Sequence, residues 1–295
     1  MQLSFTTLDV FTSTRYAGNP VAIVHVPASL SESLTQSQKQ AISSEFNLSE
    51  TVFLHLPETR TAPTERKIDI FTTAAEVPFA GHPTIGTAHY LLKVLGEKVD
   101  TLITKAGPIP ISIYKETGNV KAQVPHAFHV HRVTYMCSLN GKENPACSIV
   151  KGMSFIFVKL ETLEALSSAE EVKNLQEDTY DPSSLDDGWK EGLIGTMYFV
   201  AQGEDESGRK KYRTRMFGSR EDPGTGSASS ALGCHLAGLE GKEKGVVKFR
   251  FEQGVEMGRS NEIEVDVTRS EGGEGVERVV LSGAAVTVME GNLQA

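Results

Sequence analysis

Tryptophan occurs once in these 295 residues and cysteine three times. Cys137, Cys147 and Cys234 are odd in number, widely spaced, and lack a CxxC pattern or a histidine at ligand spacing. Neither a disulfide framework nor a zinc site is written in them, and a reducing compartment fits best. Nowhere do eighteen apolar residues run together, and the opening MQLSFTTLDVFTS has no basic segment ahead of an apolar core. The expectation is a soluble, cytoplasmic protein with no membrane partner. Basic charge is also short: 29 Lys and Arg stand against 38 Asp and Glu, a net charge of −9. That argues against nucleic acid as the ligand, because such binding is driven by counterion release onto clustered Lys and Arg. The runs SGRKKYRTR (207–215) and EGKEKG (240–245) are short and mixed, and read as solvated loops or strand faces.

What is present suffices for a core, with 39% hydrophobic and 23% charged residues, and the length favours two domains over one. LSFTTLDVF, PVAIVHV, ETVFLHL and RKIDIFT are β-branched or aromatic runs broken by Gly, Asn and Pro, so four strands are expected before residue 75. Between the second and third, SESLTQSQKQAISSEF places Leu34, Ala41, Ile42 and Phe46 near helical spacing behind serine caps. TIGTAHYLLKVL predicts a second helix whose N-terminus begins at Gly81 and His82, with Pro83 in its first turn. LITKA, IPISIYK and NVKAQV are three further strands, and MSFIFVKL at 153–160 restarts the pattern. LIGTMYFVA and YRTRMF then lead into a helix over GTGSASSALGCHLAGL, and VVKFRFEQG, NEIEVDV and RVVLSGAAVTVME close the chain as strands. The polar stretches 162–189 and 268–277 read as surface excursions.

The second half echoes the first. Setting Glu76 on Glu221 places Pro78 on Pro223, Gly81 on Gly226, His82 on Ser227, Ala88 on Gly233 and Leu91 on Leu236. The matched strand, turn and helix context implies a duplicated half-domain. A helix N-terminus carries unpaired N–H donors and about half a positive charge, so each glycine motif suits an anion, and two facing each other would grip a carboxylate. Taken singly, Gly81 and Gly226 need only permit tight turns; their pairing with His82, Asp222 and Ser227 favours a site. GTGSAS lacks the third glycine of a dinucleotide fingerprint, no Walker lysine follows a glycine loop, and Ser227 is not in a GxSxG elbow. In HAFHVH (126–131), His129 and His131 share a strand face. They read as exposed strand residues, with a bound metal as the weaker alternative.

YAGNPVAIV (16–24), NLSETVFL (47–54), DIFTTAAEVPFAGHPTIGTA (69–88), EDPGTGSA (221–228) and EQGVEMGR (252–259), in this order, resemble the phenazine-biosynthesis isomerase family of PhzF-like proteins. The resemblance implies a diaminopimelate-epimerase-like α/β (α+β) fold of two pseudo-symmetric halves. Each half is a mostly antiparallel sheet curled around a central helix, and the active site lies in the cleft between them. It sets the halves at 1–127 and 128–282, with 283–295 returning to the first, and implies a homodimer. It also implies a cofactor-independent isomerase of a small carboxylate, of the cyclic amino acid or dienoate type, with no metal. In it Glu50 shifts the proton, His82 and Asp222 handle protons or orient, Ser227 donates a hydrogen bond to substrate, and the Gly81 and Gly226 backbones hold the carboxylate. A carboxylate acting this way needs a pKa near the working pH, which partial burial favours.

Related epimerases and proline racemases carry a catalytic cysteine on each side of the cleft; the positions here read as Ala80 and Pro223, so a two-thiol racemase is not expected. Two departures stand out. RMFGSREDP is shorter than the family's Pro/Gly segment, which trims the wall near 217–220, and Ser260 stands where a proline often follows the arginine. A non-catalytic binder of a small acid or a protein, built on the same fold, is the alternative.

Overall fold

A computed structural model describes residues 1–58, 64–169, 181–218, 220–240, 245–272 and 275–295. Parts of the two polar excursions (170–180 and 273–274), of EGKEKG (241–244) and of the trimmed segment (Ser219) lie outside the described residues. In chain order the elements of the first half are β1 (Gln2–Val10), β2 (Asn19–Val26), α1 (Gln36–Phe46), β3 (Thr51–His55), β4 (Glu65–Phe71), β5 (Glu76–Val77), α2 (Gly81–His89), β6 (Thr101–Thr104), β7 (Gly107–Ile113) and β8 (Val120–Gln123). There follow β9 (His129–Cys137), β10 (Lys142–Val150), β11 (Met153–Lys159), α3 (Leu163–Ser167), β12 (Leu193–Glu204), β13 (Lys210–Phe217), β14 (Glu221–Asp222), α4 (Gly226–Leu239), β15 (Val246–Gln253), β16 (Asn261–Arg269), β17 (Val276–Gly283) and β18 (Ala285–Gln294). They form two compact units, Met1–Gln123 with Ser282–Ala295, and Val124–Leu281.

In the first unit β1 pairs antiparallel with both β18 and β2. The sheet continues β2–β3 parallel, β3–β4 antiparallel, β4–β6 parallel and β6–β7 antiparallel. A parallel pair needs a crossover, and α1 and α2 supply the two that occur here. The second unit repeats the scheme: β10–β11 antiparallel, β11–β12 parallel, β12–β13 antiparallel, β13–β15 parallel, β15–β16 antiparallel. Its crossovers contain α3 and α4. The short strands match as well, since Phe71 pairs with Glu76 and Phe217 with Glu221. The two halves are thus structural repeats, in the register set by placing Glu76 on Glu221.

Each crossover helix of the second kind is a core element. Every residue of α2 from Gly81 to Ala88 is buried, as are eleven of the fourteen in α4; small and apolar residues all round a helix are what full burial demands. Gly86 brings α2 close to the sheet, because a Cβ there would lie 2.9 Å from Val21 and 3.0 Å from Val10.

Two expectations need correction. α1 starts at Gln36, capped by Thr35 rather than a serine: the Thr35 hydroxyl accepts from the Gln38 N–H while the Gln38 side chain accepts from the Thr35 N–H, a reciprocal capping box. The stretch 162–189 is not all excursion: Thr162 caps α3 and buries Leu166 in the second unit's core. Strand β10 adds to the strands expected from sequence; its Pro145 sits beside a register shift in the β9–β10 ladder, where a proline is tolerated. Among the described residues no helix is long and apolar enough to cross a membrane.

Candidate active site

The chain leaves α1 through Asn47 in the left-handed conformation (φ 51°, ψ 30°), which asparagine adopts at low cost. Three residues later Glu50 stands at the mouth of β3, half-buried. From the other side β2 opens at Asn19, preceded by Gly18 at φ +68°, where a Cβ would lie 2.3 Å from the Val10 carbonyl. Only glycine fits that approach. α2 begins behind Ala80, which contributes no capping side chain, and presents His82 in its first turn.

Glu50 Oε2 lies 3.5 Å from His82 Nδ1, and Asn19 Nδ2 lies 3.3 Å from the same nitrogen. The Ser49 hydroxyl donates to Asn19 Oδ1 at 3.3 Å. That bond turns the Asn19 amide N–H toward His82, making Nδ1 an acceptor. Burial pushes the His82 pKa down to about 3, against a smaller opposing pull from the Pro20 carbonyl. Although the Glu50–His82 distance is that of an ion pair, His82 is therefore neutral at neutral pH. Glu50 faces a fixed dipole rather than a second charge.

The second unit builds its own set at β14 and α4. Arg215 grips Glu221 through two hydrogen bonds of 2.7 and 2.9 Å and donates to the carbonyls of Leu166 and Ser167 at the end of α3. This pins the strand that carries Asp222. The Thr225 hydroxyl donates to Asp222 Oδ2 at 2.5 Å, and the Gly224 N–H to Oδ1 at 3.4 Å. Gln253 holds this turn together: its Oε1 accepts from the Thr225 N–H, while its Nε2 donates to Thr225 Oγ1 and to the Asp222 carbonyl. Asn261 Nδ2 donates to the carbonyls of Pro223 and Arg259, both at 2.6 Å. Gly226 and Ser227 are buried in the first turn of α4, the positions that Gly81 and His82 hold in α2.

Glu50, Gly81 and His82 thus meet in one unit, and Asp222, Gly226 and Ser227 sit on one turn of the other. Sequence reasoning missed Asn19, Gln253 and Asn261, all fully buried. Asn19 and Gln253 lie in the YAGNPVAIV and EQGVEMGR stretches that carry the resemblance, and Asn261 two residues beyond the second. The racemase comparison also needs correction. The residues before the first helical glycines are Ala80 and Thr225, so Thr225, not Pro223, is the counterpart of Ala80. Neither is a thiol, and all three cysteines are buried elsewhere, with burial pushing Cys147 up to about 12 and Cys234 also upward. His131, expected to be exposed, is 4% accessible because stretch 181–189 covers it.

Two repeated α+β units, each leading a short Glu-started strand into a buried helix, define the fold. The family model of phenazine biosynthesis-like proteins, PhzC-PhzF, matches residues 8–291, and the chain belongs to this family. It is 31% identical to trans-2,3-dihydro-3-hydroxyanthranilate isomerase of Pseudomonas aeruginosa, over 97% of this chain and 98% of that protein. An uncharacterized isomerase of Mesorhizobium japonicum is 29% identical over 97% and 96% of the two chains. The crystal structure of a PhzF-family phenazine biosynthesis protein of Bacillus anthracis matches the fold across 100% of both chains, with a TM-score of 0.74 at 22% identity. The enzyme class is that of an isomerase.

Proposed function

We propose that the protein is a cofactor-independent isomerase of a small carboxylate, of the cyclic amino acid or dienoate type, in which Glu50 moves a proton from one carbon to another. The observation that carries this reading is the Glu50 carboxylate held beside a buried, uncharged His82 and Asn19. With His82 neutral, Glu50 is the group in this cluster that takes up the proton at neutral pH; His82, whose Nδ1 lone pair accepts from Asn19, can accept a hydrogen bond from the Glu50 carboxyl only once that proton is on it. The electron pair left on carbon shifts along the unsaturated system toward the substrate carboxylate, and Glu50 returns the proton at the new position. No net oxidation occurs. The amides at the start of α2 suit the substrate carboxylate. The matched strand, turn and helix of the repeat support substrate-binding roles for Asp222, Gly226 and Ser227, with Asp222 orienting and Ser227 donating a hydrogen bond.

The test is NMR in D2O with trans-2,3-dihydro-3-hydroxyanthranilate, the substrate named for the Pseudomonas relative, and a panel of cyclic and amino carboxylates. Isomerisation or deuterium uptake by the native protein should fall by about 10²-fold or more in Glu50→Gln. Protium retained in the product would show that one base carries the same proton from carbon to carbon, whereas complete deuteration would show that the protonated base exchanges with solvent before returning it. Equal rates for the two proteins would remove Glu50 as the base. Ligand binding with no turnover anywhere on the panel would favour the non-catalytic binder.

A further inference from the structure

Strand β9 turns His129 and His131 to one face, and the segment after Pro182–Ser184 lays Asp186 against both. His129 Nε2 lies 2.9 Å and His131 Nδ1 4.0 Å from the same carboxylate oxygen, Asp186 Oδ2. The three potential ligand atoms fall within 4.8 Å of one another. We propose that His129, His131 and Asp186 form a binding site for one divalent transition-metal ion, with Zn2+ the ion that two imidazoles and a carboxylate suit.

The surroundings orient this donor set. The Asp186 backbone N–H donates to His131 Nδ1 at 3.4 Å, a long bond that the ion would displace from that lone pair, and the ring proton sits on Nε2, 2.8 Å from Ser148 Oγ. An imidazole fixed by a hydrogen bond on its far nitrogen is the usual support of a metal ligand. His129 stacks on Trp189 at 4.8 Å and 9°, which holds its ring. Its side chain remains 34% exposed, an entry path for an ion. Arg132 Nε is 3.1 Å from Asp186 Oδ1, while Oδ2 accepts from His129 and, at 3.4 Å, from the Arg132 backbone N–H; the ion would take Oδ2 in place of His129. At bond lengths of about 2.1 Å, a tetrahedral site has edges of roughly 3.4 Å; closing from at most 4.8 Å is a shift that two side chains can share. The ion would displace the proton His129 now donates to Asp186 and tie stretch 181–189 to β9, a structural role outside the proposed isomerase site. The competing account is a clamp made of hydrogen bonds alone.

Trp189 is the chain's only tryptophan, so fluorescence reports on this site directly. The metal-free full-length protein is titrated with Zn2+ by calorimetry and with Cu2+ by fluorescence. Expected are one Zn2+ per chain and quenching of Trp189 complete at one equivalent of Cu2+. Both should weaken by at least about tenfold in His129→Ala, in Asp186→Asn and in Ser148→Ala. Arg132→Ala, which removes a repelling charge, should tighten Zn2+ binding. No stoichiometric Zn2+ binding, or binding equally strong in His129→Ala and Asp186→Asn while circular dichroism shows all variants folded, would overturn the proposal.

Discussion

His82 is a buried base whose charged form the native state excludes, and that has a consequence for stability. Burial depresses it from 6.5 to about 3, and His89, at the end of the same helix, to about 4. Below 6.5 the unfolded chain takes up protons at these positions that the folded chain refuses. The unfolded state then binds more protons, so stability rises with pH across this interval and falls on acidification. Asp69 adds a second stage. Although burial alone would raise its pKa, hydrogen bonds from His55 and Lys39 hold it at about 2, so its stabilisation is present above 3.8 and is lost as pH falls toward 2. Urea midpoints followed from neutral pH downward should decline well before the carboxylate range. In His82→Gln the decline between 6.5 and His82's own pKa should be shallower. An unchanged slope would show that His82 is accessible to protons in the folded protein.

At the scale of elements, α1 is held to the sheet by a buried ion pair as well as by Ile42 and Phe46, which pack against the first unit's core. Lys39, 7% exposed in its side chain, reaches Asp69 of β4 at 2.5 Å, and Asp69 also accepts from His55 of β3 at 2.8 Å. His55 in turn meets Ser31 at 2.9 Å. Removing one partner of a buried pair strands the other, at a cost of about 3–5 kcal/mol. Lys39→Met leaves Asp69 with His55 as its remaining partner, so the loss in denaturant titration should lie toward or below the low end of that range, and adding Asp69→Asn should recover part of it, because the under-compensated charge goes too. Losses that simply add would mean that the pair is not coupled. This attachment also marks where sequence reading stops. Strands such as PVAIVHV and VVKFRFEQG were legible because their apolar residues declare themselves locally, and the helix starts at Gly81 and Gly226 because the repeat wrote them twice. Lys39, Asn19, Gln253 and Asn261 are polar residues whose burial depends on partners from 8 to 63 positions away. No local pattern distinguishes them from surface residues. Pro145 shows the converse: a residue that ordinarily breaks a strand lies within β10, beside a register shift that accommodates it.

At the scale of the whole molecule, the ends of the chain are structural partners. β18 runs antiparallel along the whole of β1, from Gln2 opposite Gln294 to Val10 opposite Ala285, with one register shift at Thr7 and Leu8. There the Thr7 hydroxyl accepts from the Met289 N–H at 3.1 Å. Beyond the ladder the Met1 amine donates to the Ala295 carbonyl, and the Ala295 N–H donates to Met1 at 2.7 Å. The last strand therefore completes the unit that holds Glu50 and His82, although most of the chain's second half separates it from them in sequence. Gly291 allows the contact, since a Cβ there would lie 2.8 Å from the Phe5 ring. Deleting residues 285–295 should leave β1 with an open edge and abolish a cooperative melt. A circular permutant tests the same contact without removing anything: a short Gly/Ser linker joins Ala295 to Met1, and the chain is opened between Glu116 and Thr117, both exposed in the β7–β8 turn. Adjacent termini and an exposed turn are the conditions under which permutation is tolerated. The permutant should melt cooperatively near the native temperature and keep its isomerase activity. A deletion variant that melted like the intact chain would show that the β1–β18 ladder contributes little. A permutant that failed to fold would show that the order of the strands, as well as their pairing, is required.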